Sequence, residues 1–506
     1  LYPDQDLPPD DGLHWTGPYK NWNARCAECH ATGFEKNYNP AERTYASVQA
    51  EIGVGCEACH GPGSAHLNWA TGKAPAEPFT GLTEYGLTID NSAGGEVVLQ
   101  QCATCHSRRE AHFDGNPLPG TPYADAYNLA LLRPGSYHAD GQILDEVYVY
   151  GSFLQSKMYA KGVTCSNCHD AHTAELKAEG NGVCTQCHAP AGNPAFPTLA
   201  NTLYDDPSHH FHEAGTEGAQ CKSCHMIERV YMGVDGRRDH SFRIPRPDLS
   251  IETNSPNSCT DCHADKSSAW AAAAVEGWYP DSVNRGLHYG QTLAAGRLDA
   301  VAAKGSLAEL AENTQEPGIV RATALWLLEQ AQDPQMATRL EPFLDDPDAV
   351  VRTAAVGLHS FAAPQLRGQR LERVLDDPAR SVRIEAAKTL ITVPPNSLPP
   401  SAVDKLRAAA REWQQGLVNR ADFPETHLVL GGTALTMRNI PGAQRAFREV
   451  VRMDPQREDA WVMLVRIADA MQGPQAAGQI VEEALQFLPG SDTLNSMRGD
   501  GLLPPQ

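Results

Sequence analysis

Apolar and polar positions along this chain follow two regimes that meet near residue 290. Up to that point apolar residues come singly or in short runs, broken by Gly, Pro, Asn and Asp, and no long helical periodicity builds up. This pattern predicts short helices, few strands and much irregular chain. Asp145-Glu-Val-Tyr-Val-Tyr150 is the kind of segment that reads as a short strand. The stretch from Ser267 to Val275 is Ala-rich, and beyond Gly290 the pattern is helical. No apolar run approaches the ~18 residues that a membrane-spanning helix needs.

The helical part repeats itself. Pro317-Gly-Ile-Val-Arg-Ala-Thr-Ala-Leu325 is echoed by Pro347-Asp-Ala-Val-Val-Arg-Thr-Ala-Ala355 and by Pro378-Ala-Arg-Ser-Val-Arg-Ile-Glu-Ala386. Arg321, Arg352 and Arg383 recur every 31 residues, as do Ala324, Ala355 and Ala386. The stretches Leu340 to Leu344 and Leu371 to Leu375 each lead into Asp-Asp-Pro. A second period, of 34, links Ala446 to Ile480, Val450 to Ala484 and Pro455 to Pro489. Repeats of these lengths bury their apolar faces by stacking. The first set resembles HEAT repeats. The second, with Gly432, Ala443, Ala446, Phe447 and Asp454-Pro455, resembles tetratricopeptide repeats; a generic helical bundle is the plainer alternative for both. Pro394-Pro395 and Pro399-Pro400 read as a linker between the two sets.

The chemistry sits in the first regime. All 14 cysteines lie before residue 263, and each belongs to a Cys-x-x-Cys-His pentad. In chain order, pentads 1 to 7 are Cys26-Ala-Glu-Cys29-His30, Cys56-Glu-Ala-Cys59-His60, Cys102-Ala-Thr-Cys105-His106, Cys165-Ser-Asn-Cys168-His169, Cys184-Thr-Gln-Cys187-His188, Cys221-Lys-Ser-Cys224-His225 and Cys259-Thr-Asp-Cys262-His263. Cys-x-x-Cys-His is the attachment signature of c-type haem. Two thiols at this spacing reach the two vinyl groups of one porphyrin as thioethers, and the following His supplies the proximal nitrogen to the iron. One such pentad alone would equally suit a redox dithiol or half a zinc site. Seven, with no cysteine left over, do not; a disulfide framework gives no reason for a His after every second Cys.

The expected cofactor is therefore seven covalent haems c, held by the fourteen cysteines with His30, His60, His106, His169, His188, His225 and His263 as proximal ligands. The haems would stand in for an apolar core. The expected fold class is mostly α: an irregular, haem-packed cytochrome domain over 1–290, then an α-solenoid of HEAT-like repeats over 291–398 and tetratricopeptide-like repeats over 399–506.

Each iron has a second axial position. A second His there makes a low-spin carrier, whereas leaving it open makes a site for small molecules. Ten further histidines lie in the first regime. His172 follows pentad 4 by three residues; His66 lies in Gly61-Pro-Gly-Ser-Ala-His66, where glycines let backbone approach a flat ring. His138 stands in a long pentad-free stretch. His240 lies in Arg237-Arg-Asp-His-Ser-Phe242, whose arginines are candidates to pair with propionates. One ligand, His209 or His210, is expected from Ser208-His-His-Phe-His212, and His14 and His288 flank the region. His112 is the weakest candidate. Met226, after pentad 6, reads as a soft filler rather than a ligand.

Acidity narrows the partners. A net charge of −21 with His neutral excludes nucleic acid, which requires a basic footprint, and suits docking to positively charged redox proteins. Haem c of this kind is attached outside the bacterial cytoplasm, so the expected location is periplasmic or extracellular, and the start at Leu1 without a basic or apolar leader reads as a processed chain.

His14-Trp-Thr-Gly-Pro-Tyr-Lys-Asn-Trp-Asn23, Gly55-Cys-Glu-Ala-Cys-His-Gly-Pro-Gly63, Tyr148-Val-Tyr-Gly-Ser-Phe-Leu-Gln-Ser-Lys-Met158, Gly218-Ala-Gln-Cys-Lys-Ser-Cys-His-Met226 and Asp239-His-Ser-Phe-Arg-Ile-Pro-Arg-Pro247 together resemble a bacterial family of multihaem cytochromes with C-terminal HEAT and tetratricopeptide repeats. The haem part of that family is distantly similar to octahaem and tetrahaem cytochromes of nitrogen metabolism. The resemblance implies electron transfer without fixing a substrate. It also implies a further haem-binding segment upstream of His14, so one ligand would come from elsewhere.

Two functions follow as expectations. The first is a conduit of mostly bis-His haems between redox proteins or copies of this chain, including a filament, with the repeats as a docking surface. The alternative is an oxidoreductase acting on a small nitrogen or sulfur compound at one open haem, with Tyr137, Tyr148 and Tyr150 as proton donors. No pentad ends in Lys, so the Lys-ligated haem of pentahaem nitrite reductases is missing.

Overall fold

The computed structural model describes residues 6–9, 11–73, 82–231 and 235–498. The Pro/Asp-rich start at Leu1 and the last residues of the tetratricopeptide-like region lie outside the described residues.

The fold is mostly α, with short helices in the pentad region and longer ones beyond it. A short helix lies at every pentad: Ala27–His30, Cys56–His60, Gly95–Ala103, the 3₁₀ turn Cys165–Asn167, Gly182–Thr185, Cys221–His225 and Ser258–Cys262. Local polar side chains start several of them. Asn257 accepts from the Thr260 N–H at 3.1 Å to cap pentad 7, and Asn167 accepts from the Thr164 N–H at 2.7 Å at pentad 4. Gly61 ends the pentad 2 helix at φ +79°, and a Cβ there would lie 2.0 Å from Thr88 Oγ1, so only glycine fits. Strands are few: four two-stranded antiparallel ladders among the described residues. Asp145–Tyr150 is not among them. Tyr148 sits at φ +59°, which breaks the extended run, and a helix begins at Tyr150 instead.

Beyond residue 290, Gly318–Gln330 packs on Ala349–Gly357, which packs on Arg380–Leu390, which in turn packs on Pro400–Val418. The arginines that recur every 31 residues hold this stack. Arg321 donates to Asp346 at 2.6 Å, Arg352 to Asp377 at 2.7 and 2.9 Å, and Arg383 to Glu412 at 2.9 and 2.8 Å. Each reaches the acid of the next unit, and Arg352 and Arg383 also bind the backbone carbonyls of Asp346 and Asp377 ahead of their own helices. Between the two sets, the Pro394–Pro400 stretch carries the 3₁₀ turn Pro395–Ser397, with Val393 before it and Leu398 after it buried. Further on, Pro424–Thr436 pairs with Ile440–Met453 and Glu458–Gln472 with Pro474–Leu485 around Phe447, Trp461 and Leu464.

The two regimes share one core. A single apolar cluster joins Tyr127, Leu132, Tyr137 and Leu154 to Leu307, Leu325, Val356 and Leu390. Arg297 donates to the carbonyls of Leu132, Tyr137 and His138 at 2.7, 3.0 and 3.2 Å, and the Leu132 N–H donates to Thr323 Oγ1 at 3.1 Å. Near pentad 1, Lys36 pairs with Asp422 at 2.6 Å, the two side chains being 7% and 1% exposed. Arg25 lies over the Phe423 ring at 3.9 Å, and Tyr19 donates to Asp454 at 2.8 Å. No helix among the described residues is long and apolar enough to cross a membrane.

Candidate haem centres

The pentads line one cavity of about 4780 Å³, to which all seven contribute cysteines. A pocket for one ligand measures roughly 300–1,000 Å³, so this space suits several large groups.

Pentads touch one another, but not in chain order. The Cys29 thiol of pentad 1 contacts the carbonyl of Cys105 in pentad 3 at 3.9 Å. Gln101, beside pentad 3, donates to the Ala58 carbonyl of pentad 2 at 3.1 Å. The Cys102 thiol meets Cys165 of pentad 4. Gln186 of pentad 5 donates to the Asn167 carbonyl of pentad 4 at 3.2 Å, and Cys184 meets Cys221 of pentad 6. Cys224 of pentad 6 neighbours Cys259 and Cys262 of pentad 7. Pentad 3 thus touches 1, 2 and 4, and the path continues through 5, 6 and 7.

Four pentad histidines face a second imidazole. Ring centres lie 6.3 Å apart for His60 and His172 with planes 6° apart, and 6.4 Å for His169 and His240 at 25°. They lie 6.3 Å apart for His225 and His209 at 4°, and 6.3 Å for His263 and His212 at 33°. Two imidazoles that bind one metal through Nε2 at roughly 2 Å, each with its ring centre roughly 1 Å further back, hold those centres about 6 Å apart. The residues present therefore fit an iron porphyrin between each pair.

Hydrogen bonds at Nδ1 sort the remaining candidates. A metal-ligating imidazole donates from Nδ1, which leaves the Nε2 lone pair for the metal. His225 donates to the Arg243 carbonyl at 2.7 Å, His240 to the Arg238 carbonyl at 2.9 Å and His212 to the His210 carbonyl at 2.5 Å. His209 donates to Tyr279 Oη at 2.8 Å, and the tyrosine hydroxyl donates in turn to the His209 carbonyl. Burial pushes the pKa values of His209, His225 and His240 below the usual value, which favours the neutral ligand form.

His210 and His288 are turned the other way. Each Nδ1 accepts a backbone N–H, from His212 at 3.2 Å and from Gly290 at 3.0 Å, which puts the proton on Nε2. His288 acts as the cap of the helix Tyr289–Leu298. His14 contacts its neighbour Thr16 through Nδ1 at 2.7 Å. His66 donates to the Tyr85 carbonyl at 2.7 Å and stacks on Trp69. His138 lies beside Arg297, its carbonyl taking that guanidinium. None of these five faces a pentad imidazole at the 6.3–6.4 Å spacing, and neither do His30, His106 or His188. From the Ser208–His212 cluster, in which one ligand is expected, two rings face pentad imidazoles: His209 that of pentad 6 and His212 that of pentad 7.

Other sequence expectations also move. Arg237 pairs with Glu146 at 2.5 Å and Asp235 at 2.7 Å, and Arg238 with Glu228 at 2.9 Å, so protein carboxylates occupy both guanidinium groups. Tyr137 and Tyr150 are buried in the shared apolar core. His112 is buried against the helix Pro400–Val418, its carbonyl accepting from Asn419 at 2.9 Å.

Thiol pairs each followed by His, set around one cavity with imidazoles facing imidazoles, define a multihaem c-type cytochrome. Residues 15–61 match the family described as Cytochrome c554 and c-prime, and residues 157–193 match the doubled CXXCH motif. Both matches support covalently bound haem c and electron transfer in general. No curated protein matches the chain. Among solved structures, the one titled "Crystal Structure of Outer Cell Wall Cytochrome OcwA" aligns over 67% of this chain and 76% of its own, at 17% identity and a TM-score of 0.36.

Proposed function

We propose that this chain is an exported electron conduit carrying seven haems c. Bound haem c supplies one-electron oxidation and reduction without gain or loss of ligands. The protein's part would be to hold such groups close together and, at the four paired pentads, to supply imidazole on both sides of the iron. Pentad contacts in the order 3, 4, 5, 6, 7, with 1 and 2 both meeting 3, support a continuous path with two branches at one end. The carrying observation is the four facing imidazole pairs, His60–His172, His169–His240, His225–His209 and His263–His212, at 6.3–6.4 Å. Each pair would hold an iron from both sides and would leave it no place for a substrate.

In this reading the helical repeats, HEAT-like and then tetratricopeptide-like, brace the branched end. Their face toward pentads 1 and 3 is already covered by this chain through Lys36–Asp422, Arg43–Glu449 and the Arg380 N–H to Asp125 bond. Docking of a redox partner, or of a second copy in a filament, falls to their outer face. Electronegative partners are disfavoured by the charge of −21.

A second reading has one observation in its favour. His30, His106 and His188 face no imidazole at the pair spacing, so an open iron acting on a small nitrogen or sulfur compound belongs at pentads 1, 3 or 5. Pyridine haemochrome quantification with electron paramagnetic resonance tests both readings. The conduit requires seven haems per chain and low-spin signals at pentads 2, 4, 6 and 7 that ignore cyanide. A high-spin signal shifted by nitrite or cyanide identifies the second activity, and far fewer than seven haems defeats the conduit.

A further inference from the structure

Pentads 6 and 7 draw their facing imidazoles from one turn. Resting on the bis-His reading above, we propose that Phe211, Trp278 and Tyr279 form a clamp that seats the sixth ligands of both pentads as a unit, so that loosening the clamp opens two irons together.

His209 lies in the last turn of the short helix Pro207–His210, started by Pro207 and by the Asp206 carboxylate, which accepts from the Ser208 N–H at 2.9 Å. Were the helix to continue, His209 and His212 would lie three residues apart on one face and point at the same place. Phe211 prevents this. It takes the left-handed conformation, φ +56° and ψ +28°, which a bulky residue adopts only when its surroundings hold it there. The chain reverses at that residue, so His209 faces His225 and His212 faces His263.

What holds Phe211 is the end of the helix Ser268–Trp278. The Phe211 ring lies flat on Trp278, with centres 4.7 Å apart and planes 4° apart, and meets Tyr279 edge-on at 5.7 Å. The same two aromatics touch the ligands. Tyr279 exchanges hydrogen bonds with the His209 ring and carbonyl, and Trp278 meets the His212 ring edge-on at 6.2 Å. One ligand also has a private support. A Cβ on Gly218 would lie 2.3 Å from His212 Cδ2, so the glycine makes room for that ring alone.

The test counts carbon-monoxide-binding haems in the dithionite-reduced, haem-loaded full chain, with high-spin electron paramagnetic resonance of the oxidised protein as a second reading. Trp278→Ala is expected to add two such haems per chain over the wild type, appearing in equal proportion, whereas Gly218→Ala adds one. Trp278→Phe keeps the stack and is expected to keep the wild-type count. If Trp278→Ala fails to load haem, Phe211→Leu removes the stack from the other side and is expected to add two. One added haem, or none, in the clamp variants overturns the proposal while His209→Gly and His212→Gly each add one. If those two histidine variants add none, it is the bis-His reading of pentads 6 and 7 that fails.

Discussion

The two halves of this molecule solve the same problem, filling an interior, with opposite materials. Between Leu154 and Ala219 no apolar residue is buried among the described residues, although that stretch carries pentads 4 and 5. Between Leu293 and Leu398 a long series of Leu, Val, Ala and Ile side chains is almost wholly buried. The stretch around pentads 4 and 5 lines a cavity of about 4780 Å³ instead of a packed interior, while residues 123–154 join the core of the helical region. The helical region packs its interior with its own side chains and braces successive units with Arg–carboxylate pairs. If haem c fills that cavity as proposed, the stretch around pentads 4 and 5 depends on its cofactors to be a folded body and the helical region does not.

The largest expected effect breaks this comparison directly. Replacing both thiols of pentad 4, as Cys165→Ala with Cys168→Ala, removes the attachment point in a stretch without buried apolar side chains. Amide protection across 157–193 is expected to fall to near zero opening free energy, while 318–390 keeps its protection. Hydrogen exchange of the full chain measures both at once. Retained protection at 157–193 would show that the stretch has a core of its own.

Legibility follows the same division. The pentads were readable because their chemistry is local: five consecutive positions carry the whole requirement. Arg321, Arg352 and Arg383 were readable as a period, and the period has a cause, since each must meet an acid in the next unit. The pairing of imidazoles was not readable, because His172 faces His60 of pentad 2 and His240 faces His169 of pentad 4 across long stretches of chain. No local pattern sets those distances. His288 was marked by flanking the region, and no pattern in the sequence says that its Nδ1 accepts the Gly290 N–H at a helix start. Asp145–Tyr150 had the alternation of a strand, and a single left-handed Tyr148 undid it.

A smaller effect is expected where the halves join. Lys36 and Asp422 form an ion pair that is almost wholly buried, supported by the Asn419 carbonyl at 2.7 Å and by the Tyr45 hydroxyl, which donates at 3.1 Å. Lys36→Met leaves the Asp422 carboxylate buried with only a tyrosine partner. Breaking a buried pair in this way costs about 3–5 kcal/mol, and the double variant Lys36→Met with Asp422→Leu is expected to recover most of it. Denaturant midpoints followed by far-ultraviolet circular dichroism give both values. A loss below about 1 kcal/mol would mean that the pentad 1 lobe is held by its haem and not by the repeats.

Acid should act on the self-packed half and its junction through two buried neutral histidines. Burial, with Arg420 and Lys388 beside it, pushes His112 down to about 3, and burial with Arg370 and Arg373 pushes His359 down to about 4. The unfolded value is about 6.5. The folded state therefore binds fewer protons than the unfolded one, and stability is present above pH ~6.5 and lost as pH falls toward the folded values. Each group contributes a slope of about 1.4 kcal/mol per pH unit in that window. His359→Leu is expected to lower the slope between pH 6 and about 4.5 by close to one proton's worth in stability titrations. An unchanged slope would mean that His359 is already protonated in the fold.

The smallest effects sharpen the comparison by being equal in both halves. Arg229 meets Asp261 of pentad 7 at 2.8 Å with both side chains about a third exposed, and Arg339 meets Glu312 at 2.6 Å with both 39% exposed. Water and salt screen pairs of this exposure, so Arg229→Met and Arg339→Met should each cost less than about 1 kcal/mol. If the pentad region is held by covalent haem and axial ligands, its surface pairs have no more to do than those of the helices. A cost at Arg229 several times that at Arg339 would mean that the hairpin Glu228–Tyr231 with Asp235–Arg238 anchors pentad 7 through side chains. The division of labour between cofactor and protein would then have to be redrawn at that pentad.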